Sequence, residues 1–417
     1  MHKRDFVRTL GAVSLGMLFG DDLWAFYRAL PPRQLAQDEA FWERIRRQYV
    51  LTPEYVNLEN GYYLMQSQPV LDAFVGHVRD INRQASRYLR TRQFDDKAAV
   101  RDRIAAIAGV PPQELIITRN TTESLDTVIG GFPWQAGDEA VMAAQDYGAM
   151  LDMFQLQARR AGIVNRVVSL PLDPRSDDEI VRLYEQAITP RTRLLMVCHM
   201  VNITGQILPV ARIADMAHRH GVQVMVDGAH SFAHIAFSVP DLHGDYFASS
   251  LHKWLGAPLG AGILHVRKEH IASLWPTFAD LSKADDDILK LNHTGTHPVH
   301  TDLGINDALD FHLAIGIQRK EARLRYLQHY WTDKVRGVPG VTLNTPADPA
   351  RSCAIANVGL ARHEPAALAE LLFDRYRIWT VAIDGAGVRG VRVTPHLFTS
   401  PADLDALVRA LTELAAA

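Results

Sequence analysis

Cysteine is scarce: Cys198 and Cys353 are the only thiols in a chain of 417 residues. Two thiols make neither a disulfide framework nor a cysteine-rich structural zinc site. Cys198 follows the apolar run 194–197 and reads as a buried core residue. Strong charge of one sign is also lacking. Lys and Arg total 44 against 47 Asp and Glu, a net charge of -3, so no chain-wide field points to nucleic acid or an anionic membrane surface. The Arg-rich stretch Arg87-Tyr88-Leu89-Arg90-Thr91-Arg92 reads as a solvated helix face. Past the N-terminus, no apolar run is long enough to span a bilayer, and there are no repeats or low-complexity tracts. What is present is 47% apolar and 22% charged residues, as in ordinary globular proteins, over a length that suggests two or three domains.

The N-terminus stands apart. Lys3-Arg4-Asp5-Phe6-Val7-Arg8 precedes an uncharged apolar run over 9–20, a basic region followed by an apolar region too short to cross a membrane as a helix. With Lys3 in place of a first arginine, it resembles a twin-arginine export signal. Asp21-Asp22-Leu23-Trp24-Ala25 follows directly, so the sequence shows no clear small-x-small cleavage site. Residues 1–25 are therefore expected to be an export signal or a retained anchor, which makes the protein periplasmic or exported. An amphipathic helix docked on a cytoplasmic protein is the alternative.

From Glu114 onward, short apolar runs alternate with helical patterns. The runs are 115–118, 140–143, 166–170, 194–198, 222–226, 246–249 and 262–266, with helices expected after Asn120 and over 150–161, 178–187 and 210–220. Continuous apolar strands separated by helices predict an α/β fold with a mostly parallel sheet covered by helices. Ligands of such sheets bind beyond the carboxyl ends of the strands. A long helical pattern over 305–334 leads to a smaller α+β region over 341–417.

Lys253 lies at a strand end, and Gly256, Pro258, Gly260 and Gly262 follow it, a turned and ligand-accessible backbone. A lysine there can hold an aldehyde cofactor as an imine and move a proton at a substrate α-carbon. Asp227 ends another apolar strand, where a bare carboxylate is costly without a cation. A protonated pyridine nitrogen is such a partner, and a helix cap is the alternative. His230 is placed to reach the ring's phenolic oxygen. Asn120 and Glu123 read as a capping box, with the amides and hydroxyls of Thr121 and Thr122 free to cradle a phosphate. Tyr147 offers an aromatic face for a flat ring, and Asn202 an amide near it.

In chain order, Asn120-Thr121-Thr122-Glu123, Asp146-Tyr147-Gly148-Ala149, Val201-Asn202-Ile203-Thr204-Gly205, Val226-Asp227-Gly228-Ala229-His230 and His252-Lys253-Trp254-Leu255-Gly256 resemble the class V aminotransferase family of fold-type I pyridoxal-phosphate (PLP) enzymes. The likeness covers roughly residues 50–415 and is strongest to isopenicillin N epimerase-like members, whose Asn-rich substrate loop resembles Asn57-Leu58-Glu59-Asn60-Gly61. The chain is expected to divide into a segment 26–55 packing with the small domain or, over 38–55, bridging the two domains, a large PLP-binding domain over 56–300, a connecting long helix over 301–335 and a small domain over 336–417. The likeness implies Lys253 as the Schiff-base lysine, Asp227 at the pyridine nitrogen, His230 at the ring oxygen and Tyr147 stacked on the ring. Thr121, Thr122 and His252 would hold the phosphate, with Asn202 nearby. Arg392 would grip a substrate carboxylate beside Asn60, and Thr296 would reach the phosphate of a second subunit in a homodimer.

Two departures stand out. Asp384-Gly385-Ala386-Gly387-Val388-Arg389-Gly390 carries no cysteine where the family's desulfurases place their nucleophile, and Phe398-Thr399-Ser400 replaces the family's Tyr-Asn-Thr. The expected activity is chemistry at the α-carbon of an amino acid or amino-acid-derived small molecule, by epimerisation or transamination. A C–S or β-lyase is the alternative within the family, and a catalytically idle PLP-fold binding protein the alternative outside it.

Overall fold

The computed structural model describes residues 21–417, so the basic and apolar stretch over 3–20 and its reading as an export signal lie outside the described residues. After a two-residue strand β1 (Val56–Asn57), seven strands build the main sheet: β2 (Leu115–Thr118), β3 (Glu139–Ala143), β4 (Val164–Val168), β5 (Thr192–Cys198), β6 (Gln223–Asp227), β7 (Tyr246–Ser250) and β8 (Gly262–Val266). Their spatial order is β2-β8-β7-β6-β5-β3-β4. All neighbours pair in parallel except β8, which runs against both β2 and β7.

The continuous apolar runs arise because the sheet is covered on both faces. Val141, Leu195, Val197, Val224, Val226 and Phe247 join one buried cluster. Their chain neighbours Ala140, Met142, Leu194, Met196, Met225 and Tyr246 join another. This is the period-two alternation of a strand, with apolar side chains in both phases. The covering helices are one-sided. In Val210–Arg219, the buried residues Val210, Ile213, Ala214 and Ala217 follow the three- and four-residue spacing of a helix face.

The expected single helix over 305–334 is two helices, Val299–Ile315 and Ile317–Val335. They break at Gly316, whose φ of +86° lies in a region that residues with a Cβ avoid. The C-terminal domain contains β9 (Val341–Leu343), β10 (Ala356–Leu360), β11 (Ile378–Trp379), β12 (Val381–Gly385) and β13 (Val388–Val393). Four of these form an antiparallel sheet in the order β12-β13-β10-β9, whereas β11 pairs in parallel with β1. No described helix is long and apolar enough to cross a membrane.

The segment before β1 packs against more than the small domain. Leu35, Phe41, Trp42 and Ile45 share one core with Met200, Ile235, Trp254, Leu324 and Phe398. Arg323, only 1% exposed, pins it there. Its guanidinium donates to the Ala36 and Thr399 carbonyls and to both oxygens of Glu39, and lies over the Trp42 ring. Removing the buried guanidinium leaves the Ala36 and Thr399 carbonyls without their donor, at a cost of about 1–3 kcal/mol. Arg323→Ala is therefore expected to lower the melting temperature and to speed hydrogen exchange over 35–46. Unchanged melting and exchange would show that Arg323 does not hold the segment.

Candidate active site

Five strands end at the same edge of the sheet, β2 separated from the other four by the reversed β8, and each leads into one cavity of about 290 Å³. β2 leads to Thr121 and Thr122, β3 to Tyr147, and β5 through Cys198 to Asn202. β6 ends on Asp227 with His230 three residues on, and β7 leads through Ser250 to His252 and Lys253. Arg392 enters from β13 of the small domain, and Gly61 and Tyr62 from the loop after β1. The site thus lies where a parallel sheet places ligands.

The helix Thr121–Gly131 presents its N-terminus to this cavity, but its cap differs from the expected box. Asn120 accepts the Glu123 N–H, while Glu123 takes the Arg119 N–H rather than that of Asn120. The Asn120 backbone is pressed by β8: a Cβ on Gly262 would stand 2.6 Å from the Asn120 nitrogen. The Thr121 amide is not free either, since it donates to Ser250 Oγ at 2.9 Å, and the two hydroxyls lie 2.8 Å apart. Thr122 remains as the helix-end residue turned to the cavity, beside a hydroxyl pair that spans β2 and β7.

Asp227 forms the back wall. It is buried, accepting the Ala229 N–H at 2.9 Å and the Cys198 thiol at 3.8 Å. Burial raises its pKa, against those two bonds and the charge of Lys253. Asp146 sits behind Cys198, and burial pushes its carboxyl up to about 7. Lys253 Nζ lies 3.2 Å from His230 Nε2. Burial, aided by Arg392 and opposed by Asp227, lowers the Lys253 pKa to about 8. His252 lines the cavity with its Nδ1 buried and unpartnered, and Asn202 Oδ1 is likewise orphaned.

Arg392 is already paired. Its Nε and Nη2 donate to the two oxygens of Glu59 at 3.1 and 2.6 Å, and Nη1 donates to the Asn202 carbonyl at 3.2 Å. Glu59 also accepts the Tyr62 N–H. Only the outer Nη1–Nη2 edge of the guanidinium is left for a ligand.

Two expected site residues lie elsewhere. Asn60 is fully buried and turned from the cavity; its amide donates to the Thr394 and Asn57 carbonyls, and its oxygen accepts from Asn57. These bonds consume its polar atoms, so it shapes the loop rather than meeting a substrate. Thr296 is exposed and outside this chain's own cavity. Glu59, Cys198, Ser250 and Trp254 were missed. An acid flanked by asparagines in the 57–61 loop was the available signal for Glu59.

The site fits PLP. A buried carboxylate short of a cation suits a pyridinium, a lysine near neutrality suits an aldehyde, and a helix N-terminus with hydroxyls and an orphaned imidazole nitrogen suits a phosphate.

Residues 65–408 match the Aminotransferase class-V family. An isopenicillin N epimerase of Amycolatopsis lactamdurans is 30% identical over 89% of this chain and 98% of its own. A probable cysteine desulfurase of Mycolicibacterium paratuberculosis is 28% identical over 77% of this chain and 49% of its own. Among solved structures, a C-DES mutant with glycine covalently linked to its PLP cofactor superposes with a TM-score of 0.80 at 21% identity, over 88% of this chain and 99% of that one.

The Lys253 amine sets a pH window. Its lowered pKa means that it loses its proton as pH rises through about 8 rather than 10.5. In the full chain freed of cofactor, capture of Lys253 by an amine-reactive reagent, followed by peptide mass spectrometry, is expected to rise with a midpoint near that lower value. A midpoint at the ordinary lysine value would refute the buried-amine geometry.

Proposed function

Because the chain belongs to the class V aminotransferase family and is a PLP-dependent enzyme, we propose that it moves a proton at the α-carbon of an amino acid or small amino-acid-derived substrate, as an epimerase. The observation that carries this reading is the Lys253 amine, held near neutrality between His230 and Asp227 at the cavity floor.

When bound, PLP supplies an aldehyde that takes amines covalently and a ring that draws electrons from the substrate's α-carbon. The chain's residues do the rest. Asp227 would hold the proton of the ring nitrogen, His230 donate to the ring oxygen, and Tyr147 cover one face. Thr121, Thr122, Ser250 and His252 would hold the phosphate. Lys253 Nζ would take the proton from one face of the α-carbon, and a proton delivered to the opposite face then gives the inverted centre. The outer edge of Arg392 orients the substrate carboxylate, and Glu59 fixes that edge.

The epimerase-named relative matches nearly end to end, which favours this branch. Persulfide chemistry is disfavoured by the thiols themselves. Cys198 and Cys353 are both buried, burial raises both pKa values, and the 384–390 loop carries no thiol.

Incubating the holoenzyme with L- and D-amino acids in deuterated water tests the branch. Solvent deuterium at the α-carbon with inversion is the expected result; a keto acid or an eliminated fragment would assign the enzyme to transamination or lyase chemistry. Lys253→Ala is expected to abolish turnover and the cofactor's covalent visible band, and a colourless wild-type protein that takes up no PLP would overturn the reading of the site.

A homodimer, in which Thr296 reaches the partner's phosphate, and twin-arginine export directed by Lys3-Arg4 belong to the same proposal. The exposed position of Thr296 supports the first. Light scattering at monomer mass, or full-length protein confined to the cytosol, would refute them respectively.

A further inference from the structure

Trp254 follows Lys253 in sequence and is 1% exposed. Its indole Nε1 donates to His230 Nδ1 at 3.2 Å. On the opposite side of the same imidazole, Nε2 stands 3.2 Å from Lys253 Nζ. We propose that Trp254 is a positioning residue whose N–H fixes the tautomer of His230 and thereby favours the free amine of Lys253 over its ammonium before any cofactor is bound.

Counting donors leads to this assignment. An indole nitrogen only donates. Nδ1 of His230 therefore offers its lone pair, and in the neutral ring the proton sits on Nε2. The ring is neutral because burial drives its pKa well below the ordinary value, and the charge of Arg392 pushes the same way. An Nε2–H aimed at Lys253 requires a lone pair on Nζ, and an ammonium has none. A protonated Lys253 would set two donors against each other at 3.2 Å, whereas the free amine accepts. Of the other groups facing Lys253, Arg392 favours the amine, while Asp227, Cys198 and Glu59 oppose it.

The indole can dictate this only if it cannot turn away, and its surroundings hold it. His234 stacks on it with centroids 3.6 Å apart and planes 22° apart. His234 is itself tied by Nδ1 to the His230 carbonyl at 2.7 Å. His396 lies 5.7 Å from the indole, and Lys320 donates to the Trp254 carbonyl. The consequence is chemical: only the unprotonated amine attacks an aldehyde, so Lys253 can meet its cofactor at a lower pH than an ordinary lysine could. That consequence rests on Lys253 being the cofactor's amine; the tautomer and the amine state do not.

Two measurements on the full chain freed of PLP test the inference. In wild-type protein labelled with 15N-histidine, the His230 resonances are expected to show a bare Nδ1 and a protonated Nε2. In Trp254→Phe, which keeps an aromatic ring but no donor, the midpoint for capture of Lys253 by an amine-reactive reagent is expected to rise by about one pH unit, a tenfold loss of rate below it. A wild-type His230 protonated on Nδ1 would overturn the proposal, as would equal midpoints in folded wild type and variant. The wild-type spectrum decides the tautomer even where the variant fails to fold. Failure to bind PLP would instead defeat the reading of the site, leaving tautomer and midpoint measurable.

Discussion

The buried ion pair between Arg392 and Glu59 is the constraint on which the cavity depends. It joins β13 of the small domain to the loop after β1, and its third bond, to the Asn202 carbonyl, ties both to the large domain. Asn60 and Thr394 brace the same joint, with the Thr394 hydroxyl taking the Asn60 and Gly61 amides. Both charged side chains are nearly fully buried, so neither tolerates loss of the other. The pair closes one wall of the site, and it also consumes the guanidinium edge that would otherwise make the strongest grip on a carboxylate. Orientation, more than net attraction, is what Arg392 would have left to give a carboxylate ligand.

Behind that wall, burial favours the uncharged form of acids and bases alike. It raises Asp227 and Asp146 and lowers Lys253, His230 and His252. Groups whose charge is costly when alone are those that gain most from a charged ligand. A pyridinium against Asp227 and a phosphate against His252 and the Thr121–Gly131 helix would each supply the missing partner. The site is assembled from residues that are individually under-satisfied, and a bound cofactor would complete their bonding.

How far the sequence foretold this follows from the range of each interaction. The strands were legible because a sheet covered on both faces needs apolar side chains in both phases, as in the 194–198 run. The residues at strand ends were legible because polar side chains there have little structural reason to exist. The reversal of β8 was not, since an apolar run carries no direction. Nor was the break at Gly316, because a glycine within a helical pattern is often tolerated. Glu59 could not be paired with Arg392 in advance, the two lying 333 residues apart. Ser250 and Trp254 stood beside the recognised lysine, but a hydroxyl that takes the Thr121 amide and an indole that takes a histidine nitrogen are properties of the folded contact.

Sulfur shows how the same fold can turn a residue to a different use. Cys198 ends β5 next to Asp227 and near Asp146, and burial with those two carboxyls raises its thiol pKa far above the ordinary value. A thiol so placed does not become the thiolate that nucleophilic chemistry requires. It stays an S–H donor to Asp227, and that bond lowers the carboxyl's pKa against the effect of burial. The cysteine near this site therefore helps keep Asp227 ionised for a cationic partner. The chain shares a family and a fold with proteins named for desulfuration, yet its own sulfur works on the electrostatics of the back wall, and the proposed chemistry falls to the Lys253 amine instead.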